Sequence, residues 1–359
     1  MSASGREPIR VALVEDSPTA RALVAGVIAG QPDMQLVGSA GDGVDGVALV
    51  RALEPDVVLM DANLPVLDGF LATRRIMEEC PTRIVMVTAS LDPADVRISM
   101  RGLEAGALAV IRKPSGPDSA DHEISVRHLV ETIRLMSEVS VVRRRPARDP
   151  RAVVPPAVTD APCGPRRVVV MGTSTGGPRV LAQILRALPA DFAAPICIVQ
   201  HIAEGFLPGL VGWLREEAAL SVAIAEDGCR PLPGAVYFAP DGRQLGFGAG
   251  GALRLSPCAA GDAFCPSVSH LFRSAAAVWG RTAVGVLLTG MGRDGVEGLS
   301  ELRAAGAETI AQDPASCTVD GMPGAAIASG SAMRVLQPEA IATELRRLVA
   351  HGREDNARK

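Results

Sequence analysis

Two groups of residues in this sequence have the types and spacing to do chemistry. The first follows short apolar runs: Glu15 and Asp16 after IRVALV, Asp61 in VVLMDANLP, Thr88 after RIVMV, and Lys113 in IRKP. Carboxylates brought together repel one another, and a hard divalent cation bound through oxygen relieves that repulsion. Magnesium typically uses one or two carboxylates together with phosphate. Glu15, Asp16 and Asp61 therefore read as a magnesium site. A phosphoryl group on Asp61 would have the Thr88 hydroxyl and the Lys113 ammonium as partners. Each residue alone is an ordinary polar loop residue; five at strand ends, with Pro114 after the Lys, are a pattern.

The second group is Ser174, His201 and Asp294. Ser174 lies in RVVVMGTSTGGP, where Gly172 to Gly176 matches G-x-S-x-G, a serine on a tight strand-to-helix turn. The free N–H groups of a following helix would stabilise an oxyanion, but the same glycines would equally cradle a nucleotide phosphate. His201 follows directly on the apolar run ICIVQ. A right-handed crossover puts consecutive parallel strands close together, so Ser174 and His201 come within reach. The other histidines of this half are His270, in an expected helix, and His351, in the charged tail. Asp294 lies in GVLLTGMGRDGVEGL, a loop beyond a third buried strand, where it could orient the imidazole. Asp is also a common turn former and helix cap.

The elements that must position these groups are legible in the apolar pattern. Residues 9–14, 34–39, 56–60, 83–87 and 107–111 read as strands. Helices are expected at 19–29, 44–53, 70–79, 93–103 and 123–138. This alternation predicts an open parallel sheet with helices on both faces, whose ligands sit at the carboxyl ends of the strands. Beyond it, 167–171, 196–200 and 284–288 are continuous apolar runs, as in strands buried on both faces. Residues 235–239, 244–247 and 253–255 read as a small antiparallel element. The Pro- and Ala-rich run PARDPRAVVPPAVTDAPCGPRR has linker composition. The expected organisation is two α/β domains, 8–140 and 166–350, joined by a linker over 141–165.

Residues 8–140 resemble a response-regulator receiver domain. The resemblance implies that Asp61 is phosphorylated by a histidine kinase, that Glu15 and Asp16 help hold magnesium, and that Thr88 and Lys113 contact the phosphoryl group. Val110 stands where receivers often carry an aromatic residue. Residues 166–348, through GTSTGGP, VQH, LTGMGRDG and AQDPASCTVDGMP, resemble the chemotaxis protein-glutamate methylesterase family. That implies a phosphorylation-controlled serine hydrolase acting on methylated glutamates in the cytoplasmic helices of chemoreceptors, with some members deamidating glutamine. It implies Ser174 as nucleophile, His201 as general base, Asp294 as its orienter, and Thr175 and the Met291 N–H as oxyanion donors. No cofactor is expected for the ester hydrolysis. The family pattern also implies that the unphosphorylated receiver blocks the esterase. In FCPSVSHLF, Cys265 and Ser269 replace an Arg and an Asp usual in the family, so two charges are expected to be missing near the substrate groove.

Composition limits the alternatives. The 359 residues carry a net charge of −4 and 3% aromatic residues, which argues against a nucleic-acid binder. A DNA-binding regulator lacks a helix-turn-helix pattern after the linker. No apolar run is long enough to span a bilayer, and the N-terminus lacks a signal-peptide core, so a cytoplasmic protein without membrane insertion is expected. The seven cysteines include no C-x-x-C pair, and neither a zinc site nor a disulfide framework is expected. Two readings remain beside the receptor esterase: a module gripping a phosphate in GTSTGG, and an esterase for a different ester.

Overall fold

The computed structural model describes residues 7–89, 102, 103, 105–139 and 168–350. All but two residues of the helix expected over 93–103 lie outside these, as do the expected linker and His351. The chain divides into two units, Met1–Ala152 and Val153–Lys359.

The first unit runs β1 (Ile9–Val14), α1 (Pro18–Ala29), β2 (Met34–Ala40), α2 (Gly43–Leu53), β3 (Val57–Asp61), α3 (Gly69–Glu79), β4 (Arg83–Thr88), β5 (Ala109–Arg112) and α4 (His122–Glu138). Its strands pair in parallel in the order β2-β1-β3-β4-β5. Val11 to Val14 of β1 and all of β3 are buried, because helices cover both faces of a parallel sheet. The helices begin where the sequence supplies an oxygen for their free N–H groups. Ser17, Asp42 and Asp68 cap α1, α2 and α3. The first turn of α3 presses on Asp61: a Cβ on Gly69 would lie 1.9 Å from the Asp61 carbonyl oxygen, so only glycine fits.

The second unit continues with β6 (Val168–Thr173), α5 (Gly177–Arg186), β7 (Ile196–Gln200), α6 (Leu207–Glu217), β8 (Ser221–Ile224), β9 (Ala235–Phe238), β10 (Arg243–Phe247) and β11 (Leu253–Pro257). It ends with α7 (Val268–Trp279), β12 (Ala283–Leu287), α8 (Val296–Ala304), β13 (Glu308–Gln312), α9 (Gly321–Ala328), β14 (Arg334–Leu336) and α10 (Pro338–Ala350). Seven parallel strands form one sheet in the order β14-β13-β12-β6-β7-β9-β8. The chain builds outward from β6 on one side through β7 and on the other through β12. The switch point, where such sheets hold their ligands, therefore lies at the carboxyl ends of β6 and β12.

The two parallel-sheet α/β domains expected from the apolar pattern are present. One strand assignment is corrected. Residues 235–239 do not join an antiparallel element; β9 pairs in parallel with both β7 and β8. Parallel neighbours usually need a helix between them. Here the Gly- and Pro-rich stretch 225–234 makes the crossover alone, which in sequence looks like hairpin punctuation. Only β10 and β11 form the antiparallel pair.

Candidate active site

Each residue of the Ser174 group leaves a different strand of the large sheet. Thr173 and Gln200 are paired across β6 and β7, so Ser174 and His201 are the next residues on adjacent strands. His201 donates its backbone N–H to the Thr173 carbonyl at 2.9 Å, and Ser174 donates its own to the Thr289 carbonyl at 3.0 Å. The sharp turn after Ser174 requires glycine twice. Gly176 has φ +80°, and a Cβ there would lie 2.3 Å from Thr318 Oγ1. A Cβ on Gly177 would lie 2.2 Å from Gln200 Oε1. The Ser174 hydroxyl makes no hydrogen bond among the described residues, a common state before substrate aligns the site.

His201 Nε2 lies 3.0 Å from Asp294 Oδ2, an ion-pair distance without hydrogen-bond alignment. Asp294 is held from several sides. Its Oδ1 accepts from Ser267 Oγ, Ser269 N and Gly295 N at 3.0, 3.0 and 2.9 Å, and its Oδ2 from Val268 N at 2.7 Å. Two of these donors are the first N–H groups of α7, whose positive end favours an anion. Burial alone would raise the Asp294 carboxyl. His201 and the backbone N–H groups of Ser269 and Val268 overcome that and hold it far below the usual carboxylate range.

Thr175 and Met291 flank Ser174. The Thr175 and Met291 N–H groups are not spent on hydrogen bonds among the described residues. Their loops are braced by residues that motif reading passed over. Thr289 Oγ1 donates to the Thr175 carbonyl at 2.9 Å and accepts from Val319 N at 3.0 Å. Gln312 Oε1 accepts from Thr289 N at 2.9 Å. Gln200 Nε2 donates to the carbonyls of both Ser174 and His201 at 2.8 Å, tying the two turns together. The only sequence signal for Gln200 was its place beside His201.

The two departures in FCPSVSHLF both adjoin the site: Cys265 follows Phe264, whose ring stacks on His201, and Ser269 N donates to Asp294. Ser269 is 8% exposed, and its hydroxyl accepts from Gly295 N at 2.8 Å. The first turn of α7 faces the Asp294 loop, so this position supports Asp294. Cys265 is bonded to Cys258, with the Cα atoms 6.0 Å apart, which corrects the expectation of unpaired thiols. The bond closes the loop after β11, a proximity that spacing alone did not reveal.

In the first unit the ligand oxygens of Glu15, Asp16 and Asp61 all lie within 4.8 Å of one another. Lys113 Nζ contacts Asp61 Oδ2 at 2.8 Å and Glu15 Oε1 at 3.0 Å. Burial would lower the Lys113 ammonium, but Asp61 and Glu15 raise it above its ordinary value. Burial pushes the Glu15 carboxyl up, although Lys113 opposes it. Lys113 Nζ also lies 2.8 Å from Glu15 Oε2, yet one ammonium cannot neutralise three carboxylates, and oxygens this close fit a divalent cation. Thr88 ends β4 beside β3, and its carbonyl accepts from Lys113 N at 2.8 Å. Val110 is half-buried in β5 opposite Met86.

Fold and site together define a two-domain α/β protein in which an acidic receiver-type site precedes a hydrolase-type Ser-His-Asp arrangement. Family models agree: residues 11–125 match the response regulator receiver domain and 169–345 match CheB methylesterase. A protein-glutamate methylesterase/protein-glutamine glutaminase of Anaeromyxobacter dehalogenans is 50% identical, over 94% of this chain and 98% of its own. Another from Myxococcus xanthus is 45% identical, over 94% and 96%. The Thermotoga maritima CheB methylesterase catalytic domain is 38% identical with a TM-score of 0.50, covering 52% of this chain and 100% of that domain. The chain belongs to the protein-glutamate methylesterase/protein-glutamine glutaminase family.

Proposed function

We propose that the chain is a phosphorylation-activated esterase that removes methyl groups from glutamates of chemoreceptors, with Ser174 as nucleophile, His201 as base and Asp294 as orienter. The observation that carries this reading is the arrival of Ser174, His201 and Asp294 at the ends of β6, β7 and β12, with His201 Nε2 3.0 Å from the Asp294 carboxylate. With Nε2 committed to Asp294, Nδ1 takes the proton as Ser174 Oγ attacks the γ-carbonyl of a glutamate methyl ester. The N–H groups of Thr175 and Met291 receive the oxyanion. Methanol leaves with the proton from His201, and water then frees the glutamate. A glutamine side chain follows the same course with ammonia as the leaving group. This accounts for both activities in the relatives' names.

The receiver unit binds a divalent cation for phosphorylation; in our reading it is magnesium, held by Glu15, Asp16 and Asp61. Asp61 accepts a phosphoryl group from a histidine kinase, with Thr88 and Lys113 contacting it. Phosphorylation shifts the population toward a state with an accessible esterase site. We assign the receiver to 8–140, the linker to 141–165 and the esterase to 166–350. Among the described residues no helix is long and apolar enough to cross a membrane. Work on the cytoplasmic helices of receptors places the enzyme in the cytoplasm.

The test is methanol release from methylated receptor membranes by wild type and Ser174→Ala, with and without a small phosphodonor and magnesium. Release should require Ser174 and rise with phosphodonor. No release from wild type under any condition would defeat the receptor-esterase reading.

A further inference from the structure

An aromatic ring lies flat against His201. The Phe264 ring centroid is 4.8 Å from that of the imidazole, with the planes 7° apart. Phe264 remains 43% exposed, so burial accounts for only part of its hold. Its backbone is anchored instead. Gln244 Nε2 donates to the Phe264 carbonyl at 2.9 Å and to Asp262 Oδ2 at 3.0 Å, and Gln244 Oε1 accepts from Ser267 N at 2.8 Å. Asp262 Oδ2 also accepts from Ala259 N at 2.9 Å. The next residue, Cys265, is bonded to Cys258 at the other end of the loop.

We propose that Phe264 is a positioning residue for ester cleavage, its ring fixing the plane of the His201 imidazole. The inference rests on the reading of Ser174 and His201 as nucleophile and base. Stacked rings favour a near-parallel, offset arrangement. Here that arrangement keeps Nε2 3.0 Å from Asp294 Oδ2, a contact that rotation of the ring would lose.

The experiment uses the full chain and methylated receptor membranes, measuring methanol release to obtain kcat and KM separately. Phe264→Ala should lower kcat about threefold to tenfold with little change in KM, the value of one aromatic pair. Phe264→Tyr should restore the wild-type rate, and urea unfolding checks that both variants are folded under assay conditions. Equal kcat for Phe264→Ala and wild type would overturn the positioning role, as would a fall confined to KM. Ser174→Ala run alongside separates these results from failure of the esterase reading, which alone would leave release independent of Ser174.

Discussion

Replacing Asp294 with Asn tests how the imidazole is oriented, because the local hydrogen bonds dictate where the new amide must point. Oδ1 accepts from three donors, Ser267 Oγ, Ser269 N and Gly295 N. An Asn must keep its only oxygen there. Its NH2 then takes the place of Oδ2, facing Val268 N at 2.7 Å and His201 Nε2 at 3.0 Å. Two consequences follow from donor and acceptor counting. The Val268 N–H loses its acceptor, a cost of about 1–3 kcal/mol. His201 Nε2 must accept, so its proton moves to Nδ1, the nitrogen that should take the proton of Ser174. The wrong tautomer lowers kcat by roughly 10³–10⁴, as in other Ser-His-Asp enzymes. Methanol release from methylated receptor membranes gives kcat, and urea unfolding confirms that the variant is folded under assay conditions. A kcat within about tenfold of wild type, from a folded variant, would refute the tautomer argument. The same carboxylate has an acid signature. Its folded pKa is depressed, so its contribution to stability is complete above the unfolded value of about 3.9 and is lost as pH falls through the lower folded value. That acid-limb loss should be weaker in the Asn variant.

Two other substitutions probe the supporting structure. Gly176→Ala forces a side chain into a left-handed turn with φ +80° and onto Thr318 Oγ1; unfolding should show a loss of at least about 1 kcal/mol, with kcat falling because Ser174 moves. Lys113→Met leaves the buried Glu15 and Asp61 carboxylates without their shared ammonium, which contacts both at 2.8 Å. It should cost about 3–5 kcal/mol in urea unfolding, and magnesium should recover part of that by taking over the neutralising charge.

Much of the chemistry was legible in the sequence because parallel α/β sheets present ligand-binding residues at strand ends. The buried runs before Ser174 and His201, and those before Asp61 and Thr88, say where each strand stops. The next residue is then at the site whatever the rest of the chain does. Chain order alone did not say which strands would be neighbours. That β12 lies against β6, bringing Asp294 to His201, is decided by how the sheet packs around its central strand. The sequence also misrepresented residues 235–239, since a helix-free crossover and a hairpin share the same Gly and Pro punctuation. The roles of Gln200, Gln312 and Ser267 were hidden for a different reason. Their work is to satisfy backbone groups from distant segments, and a hydrogen-bonding side chain carries no mark of its partner until the chain is folded. The same holds for Phe264 and for Cys258 with Cys265. Residue type permits a ring stack or a cross-link, but only the tertiary fold brings Phe264 to His201 and the two sulfurs to each other, because the loop after β11 must turn back over the end of β7.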